Sequence, residues 1–148
     1  MPVVPYQTDC VLCSVATPIV WQDDAWRLVR TTQRGWPVYY QLILNDHVSE
    51  MTDLANGDRE RCFQLMWHVE STVRDIFRPD KMNIASLGNM VPHLHWHFIG
   101  RYAWDPTFPG SFWQEEELRP LDESREALLL AAVENSDEAI ASHLDGLQ

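Results

Sequence analysis

No apolar run in this 148-residue chain approaches the roughly 18 residues that a membrane span requires. The opening Met1-Pro2-Val3-Val4-Pro5 lacks the basic start and long apolar stretch of a secretory leader, so the expected compartment is the cytoplasm. Cysteine is scarce and odd in number, at three, which argues against a disulfide framework. Positive charge is also scarce. Lys and Arg total 11 against 22 Asp and Glu, for a net charge of -11. No basic stripe exists to neutralise a DNA or RNA backbone, so a nucleic-acid polymer is an unsuitable partner. A small phosphorylated ligand stays open, because it needs a few local donors and not a positive protein. No internal repeat or low-complexity segment is present.

What the chain does have is apolar and aromatic bulk. Hydrophobic residues make up 45% of it, with 7 Trp, enough for one compact core. The acidic excess is concentrated at the end, where residues 115–148 hold 10 Asp or Glu against 2 Arg. Ala25–Thr32 and Val38–Leu44 read as strands around a Gly35-Trp36-Pro37 turn. Asn56 to Arg78 is the clearest helix. Cys62, Leu65, Met66, Val69, Val73, Ile76 and Phe77 share one face, Asn56 is placed to cap it, and Pro79 stops it. Lys81–Leu87 and Val91–Gly100 read as two further strands joined tightly by Ser86-Leu87-Gly88-Asn89. Trp104 to Pro120, with Pro106, Pro109 and Pro120, reads as irregular. Asp122 to Leu144 reads as an acidic terminal helix starting at Asp122 or Ser124. Strands that do not alternate with helices predict an α+β fold with an antiparallel sheet.

The most informative segment is Pro92-His93-Leu94-His95-Trp96-His97-Phe98-Ile99-Gly100. On a strand, alternate residues share a face about 7 Å apart. His93, His95 and His97 then point one way, and Leu94, Trp96 and Phe98 point toward the core. A stable sheet has no need of such a row of imidazoles. A polar face, a shared metal ion or a catalytic row would each use it. A single ion shared by all three is geometrically awkward on a straight strand. Cys10-Val11-Leu12-Cys13 is a separate signal, open to a zinc site or two reduced buried thiols, since the βαβ context that a redox pair needs is not seen. Cys62, in the helix stripe, reads as core.

HLHWHFI resembles, in full, the His-φ-His-φ-His-φ-φ signature of the histidine-triad (HIT) family, where φ is apolar. The resemblance extends over roughly residues 8 to 105. Tyr39 to His47 looks like the family strand that ends in a His. The helix after Asp53-Leu54 sits where the family places its long one. Asn83 to Asn89 looks like its phosphate-side strand and turn. The wording is closest to a bacterial HIT-like subgroup. The resemblance implies a HIT-like fold of about five antiparallel strands with one long helix and a C-terminal helix. It places a HIT domain over residues 1–110, with 111–148 an irregular segment and acidic helix attached to it.

The same resemblance implies a function. A nucleoside phosphoramidate or dinucleoside polyphosphate would be cleaved through a covalent nucleotidyl-histidine. The middle His of the motif, His95, would be the nucleophile, its other ring nitrogen held by a backbone carbonyl. His97 would donate to a phosphate oxygen or leaving group. Asn89, where the family usually has Gln, and Asn83 are the candidate amide donors to phosphate. Cys10, Cys13, His47 and His93 fill the four positions at which some bacterial members hold structural zinc. A homodimer is implied as well. Two positions depart from the pattern: Tyr39 stands where the family usually has another His, and Thr31 stands near its ribose-binding acid. The altered ribose position and Asn89 keep a non-catalytic nucleotide- or protein-binding module as an alternative. A metal-dependent phosphohydrolase using the His row is the other.

Overall fold

The computed structural model describes residues 9–14 and 17–147, and the opening Met1–Pro5 lies outside them. Five strands form one sheet: β1 (Ile19–Gln22), β2 (Trp26–Arg30), β3 (Tyr39–Leu44), β4 (Lys81–Ala85) and β5 (His95–Arg101). The spatial order is β1-β2-β3-β5-β4, and each neighbouring pair is antiparallel. Among the described residues three α-helices complete the fold: α1 (Asn56–Phe77), α2 (Glu123–Glu134) and α3 (Asp137–Asp145). The α+β expectation and its five strands hold. No helix among the described residues is long and apolar enough to cross a membrane.

Strand alternation divides the sheet into two faces. Trp26, Leu28, Tyr40, Leu42 and Phe98 join the core with Leu65, Val69, Val73 and Phe77 of α1. Burying each such side chain contributes about 1.5–3 kcal/mol. Helix α1 follows the expected stripe except at Ile76, which is 36% exposed, while Thr72 is buried in the helix instead. The expected Asn56 cap is not made. Ala55 precedes the helix without a side-chain cap, and the Asn56 carboxamide oxygen instead accepts from Arg59. At the other end Arg78 takes the left-handed conformation (φ 49°) just before Pro79. Gly100 then faces Val38, where an added Cβ would lie 2.9 Å from Val38 Cγ1. Only glycine lets β3 and β5 close there.

Strand β1 has no counterpart in the sequence reading. Four residues are too few for a period to show. Its turn into β2 is built by Asp23, whose Oδ1 accepts from the backbone N–H groups of Ala25 (2.9 Å) and Trp26 (2.6 Å). The single expected C-terminal helix is two. Asn135 Nδ2 and Ser136 Oγ donate back to the carbonyls of Ala131 (2.9 Å) and Ala132 (2.6 Å), and the chain turns between them. Helix α2 starts as expected on Asp122, which accepts from the Arg125 backbone. The break lets α3 seat Ile140 and Leu144 in the core, while Arg30 pairs with Asp137 at 2.8 Å.

The histidine segment also differs from its expected span. β5 starts at His95, not Val91. Pro92 has no N–H to give, the His93 N–H turns back to the Val91 carbonyl (2.8 Å), and the Leu94 N–H goes to Val48 (2.7 Å). Likewise β4 ends at Ala85, so the link to β5 runs from Ser86 to Leu94 and is no tight turn.

Candidate active site and metal centre

Register fixes which side chains meet on the face away from α1. In the β3·β5 ladder His95 lies opposite Ile43, His97 opposite Gln41, and Ile99 opposite Tyr39. In the β4·β5 ladder His97 lies opposite Ala85 and Ile99 opposite Asn83. Opposed residues share a face, so Tyr39, Gln41 and Asn83 stand on the histidine face. That face is covered. His95 is 7% exposed and His97 8%. Trp113, from the irregular segment, sets its ring 5.5 Å from that of His97, and Phe112 lies 5.3 Å from Tyr39.

The three histidines have different partners. The His93 ring donates from Nε2 to the Leu44 carbonyl at 2.6 Å, leaving Nδ1 as the lone-pair nitrogen. That Nδ1 is 3.5 Å from the sulfurs of both Cys10 and Cys13. The His95 ring does the reverse: Nδ1 donates to the His93 carbonyl at 2.6 Å, which leaves Nε2 with the lone pair. The His97 Nδ1 is 2.6 Å from the Tyr39 hydroxyl and 3.4 Å from Gln41 Nε2. Burial, and then the neighbouring His95, lower the His97 pKa to about 4, so its ring is neutral near pH 7. Burial likewise lowers the His93 pKa. The Ser86 hydroxyl holds the His95 carbonyl at 2.7 Å and so braces the start of β5.

Beside this row, Cys10, Cys13, His47 and His93 converge. Their four donor atoms lie within 4.8 Å of one another, and among the described residues this is the group fit to hold a metal ion. His47 Nδ1 is 3.4 Å from Cys13 Sγ. A tetrahedral zinc ion with its usual bond lengths separates sulfur from nitrogen by about 3.6 Å. The S···N distances of 3.4–3.5 Å match that edge. Two sulfurs and two imidazoles form a closed set that suits a structural ion. Arg27 steadies the cysteine turn by donating to the Leu12 carbonyl and to Asn45 Oδ1.

The candidate residues therefore sort into groups. His95 and His97 adjoin, with ring centroids 4.8 Å apart. The four metal candidates come together. Asn83 does not turn to the histidines: its Oδ1 accepts from Arg101 at 2.9 Å. Asn89 stands exposed in the loop before β5. Sequence reading missed Tyr39 as a partner of His97, and missed Gln41, Ser86, Arg27 and Trp113. Period-two alternation would have put Tyr39 and Gln41 on one face, but pairing β3 with β5 requires the register. Trp113 lies in a segment with no period at all.

A family model of the HIT domain matches residues 14–104. No curated protein matches the chain. Among solved structures, a histidine triad protein from Marinobacter aquaeolei is 28% identical, with a TM-score of 0.68, over 92% of this chain and 98% of that one. A Zn-bound histidine triad family protein from Mycobacterium smegmatis is 19% identical, with a TM-score of 0.57, over 88% and 97%. A HIT family hydrolase from Clostridium thermocellum is 17% identical, with a TM-score of 0.53, over 69% and 98%. The match over the whole sheet and the whole triad means that this chain belongs to the HIT family.

Proposed function

We propose that the protein is a nucleotidyl hydrolase or transferase acting on a nucleoside phosphoramidate or dinucleoside polyphosphate, with His95 as nucleophile. The observation that carries this reading is the 2.6 Å bond from His95 Nδ1 to the His93 carbonyl. It leaves the lone pair on Nε2, and a neutral imidazole nitrogen attacks phosphorus near pH 7 without a separate base. In the first step a bond forms between Nε2 and the α-phosphorus while the bond from phosphorus to the leaving group breaks. The leaving group departs with the bonding pair and takes up a proton from solvent, which the attacking water of the second step gives back. In the second step water attacks phosphorus, His95 leaves, and a nucleoside monophosphate is released. His97 donates a ring N–H to a phosphoryl oxygen or the leaving atom, where negative charge gathers. Asn89 is the nearer of the two amide candidates to the open loop, and Asn83 supports the sheet edge.

Zinc, when bound by Cys10, Cys13, His47 and His93, would supply structural cross-linking and no reactive water. Those residues then tie the N-terminal turn to the segment that delivers His95. The Zn-bound relative from Mycobacterium smegmatis supports this reading. Reduced thiols at Cys10 and Cys13 suit a cytoplasmic setting. A homodimer is part of the same reading, supported by Phe63 (45% exposed) and Trp67 (68%) one turn apart on α1.

The test is an acid-free quench of a reaction with α-labelled nucleotide. Acid-labile label on His95 supports the mechanism. Full turnover by His95→Ala removes it.

A further inference from the structure

We propose that Tyr39 is a positioning residue that fixes which ring nitrogen His97 presents to the reacting phosphoryl group. The inference rests on the reading that His97 donates to substrate, and it deepens that reading. Three atoms meet at one point. Tyr39 Oη is 2.6 Å from His97 Nδ1, Gln41 Nε2 donates to Tyr39 Oη at 3.2 Å, and the same Nε2 is 3.4 Å from Nδ1.

An amide nitrogen can only donate. The Gln41 donor therefore occupies a lone pair of Tyr39 Oη, and the phenolic hydrogen needs an acceptor elsewhere. His97 Nδ1 is the acceptor within reach. Were Nδ1 protonated, three donors would converge and the phenolic hydrogen would have no partner. Tyr39 is 5% exposed, so solvent does not readily replace that partner. Burial also raises the Tyr39 pKa, which keeps the phenol protonated and a donor. With Nδ1 accepting, the single proton of neutral His97 sits on Nε2, the nitrogen away from Tyr39. The relay Gln41 to Tyr39 to His97 thus ends in a fixed N–H. Without it the ring would divide between two tautomers, and one of them presents a lone pair to the phosphoryl oxygen.

The inference concerns this chain's own residues, since a tyrosine stands at a position where the family usually has His. Two readouts test it. The first is 15N–1H correlation of the histidine rings in the resting protein at pH 7. Wild type is expected to show His97 in the Nε2–H form alone, and Tyr39→Phe a mixture. The second is kinetics: Tyr39→Phe is expected to lower kcat about tenfold, the value of one lost hydrogen bond of moderate strength, with KM nearly unchanged. A wild-type His97 in the Nδ1–H form overturns the proposal, and so does a Tyr39→Phe protein that keeps the single tautomer and full kcat. The wild-type spectrum needs no variant, so a poorly folding Tyr39→Phe does not obstruct the test. Absence of turnover in wild type on any nucleotide would sink the reaction instead, and the ring tautomer would still be decided by the spectrum.

Discussion

The two ends of one histidine run, His93 and His97, meet different surroundings. His93 belongs to a corner made of sulfur and nitrogen donors, and His97 to a corner made of aromatic rings. At the first end the ring spends Nε2 on the Leu44 carbonyl and turns Nδ1 to Cys10 and Cys13. At the second end Nδ1 is taken by Tyr39, and Nε2 is left. His95, between them, spends Nδ1 on the His93 carbonyl. Three identical side chains at a spacing of two thus acquire three different sets of partners. The difference is made by the backbone carbonyl or hydroxyl each ring meets, not by the imidazole. It follows that a motif of alternating histidines is a set of positions, and that their partners assign the roles.

Substitutions separate the three positions. His95→Ala is expected to have the largest effect, loss of turnover to background, measured with a nucleoside phosphoramidate substrate. It also leaves the His93 carbonyl without its donor, so about 1–3 kcal/mol of stability goes with it, read from denaturant unfolding. His93→Ala is expected to act on stability first. If zinc at a thousandfold excess over its Kd supports the fold, losing it costs about 4 kcal/mol. Thermal unfolding with and without chelator checks this, and a wild-type Tm indifferent to chelator would dissolve the contrast between the two ends. His97→Ala is expected to keep the fold and lose about 2.7–4 kcal/mol of transition-state stabilisation, or 10²–10³ in kcat.

Acid sharpens the contrast from another side. The folded His97 pKa of about 4 lies below the ordinary value of 6.5. Between those values the unfolded chain binds more protons than the folded one. Stability is therefore fully present above about pH 6.5 and falls as pH drops toward 4, by at most about 1.4 kcal/mol per pH unit from this group. Urea unfolding of wild type and His97→Asn at pH 7 and pH 5 measures it, the variant showing the shallower loss. The smallest expected effect is on assembly. Trp67→Glu on the exposed face of α1 should weaken dimers, read by light scattering against the 17.2 kDa monomer mass. A wild-type protein that is monomeric at micromolar concentration would reject the dimer outright.

Much of this molecule could be read before its structure was known, for a physical reason that varies by element. Helix α1 announced itself because 22 residues give six turns of repeated pattern. The triad announced itself because three polar rings at period two conflict with the apolar sequence around them. Cys10 and Cys13 showed as a close pair, and only the family pattern linked them to His47 and His93, more than 30 positions away. By contrast β1 is too short to carry a period. The break at Asn135-Ser136 is a local competition between side-chain and backbone hydrogen bonds, which helical spacing does not register. β2 ends at Arg30 and not at Thr32, although the Thr31 N–H still reaches the Tyr39 carbonyl at 3.0 Å. Tyr39 carried a visible departure from the family pattern, but its bond to His97 depends on the pairing of β3 with β5.

Arg101 closes β5, and most of its guanidinium hydrogen bonds go to the segment that follows. It donates to both oxygens of Asp105, to Thr107 Oγ1, to the Gly110 carbonyl and to Asn83. A planar fork fixes direction as well as distance, which a lysine at that place could not do. Chain length is thereby indexed from Arg101 to Gly110, and Phe112 and Trp113 arrive over the histidines at a set distance from the strand end. The chain is pinned again where the Leu118 N–H meets the Pro106 carbonyl and Arg119 donates to the carbonyls of Asp105 and Phe108. Between those pins Glu115, Glu116 and Glu117 are exposed. For protein engineering the segment thus has a half held by many hydrogen bonds and an exposed half. A residue inserted between Asp105 and Gly110 would carry the aromatic cover off the site, whereas a peptide spliced among the three glutamates would find room to loop out.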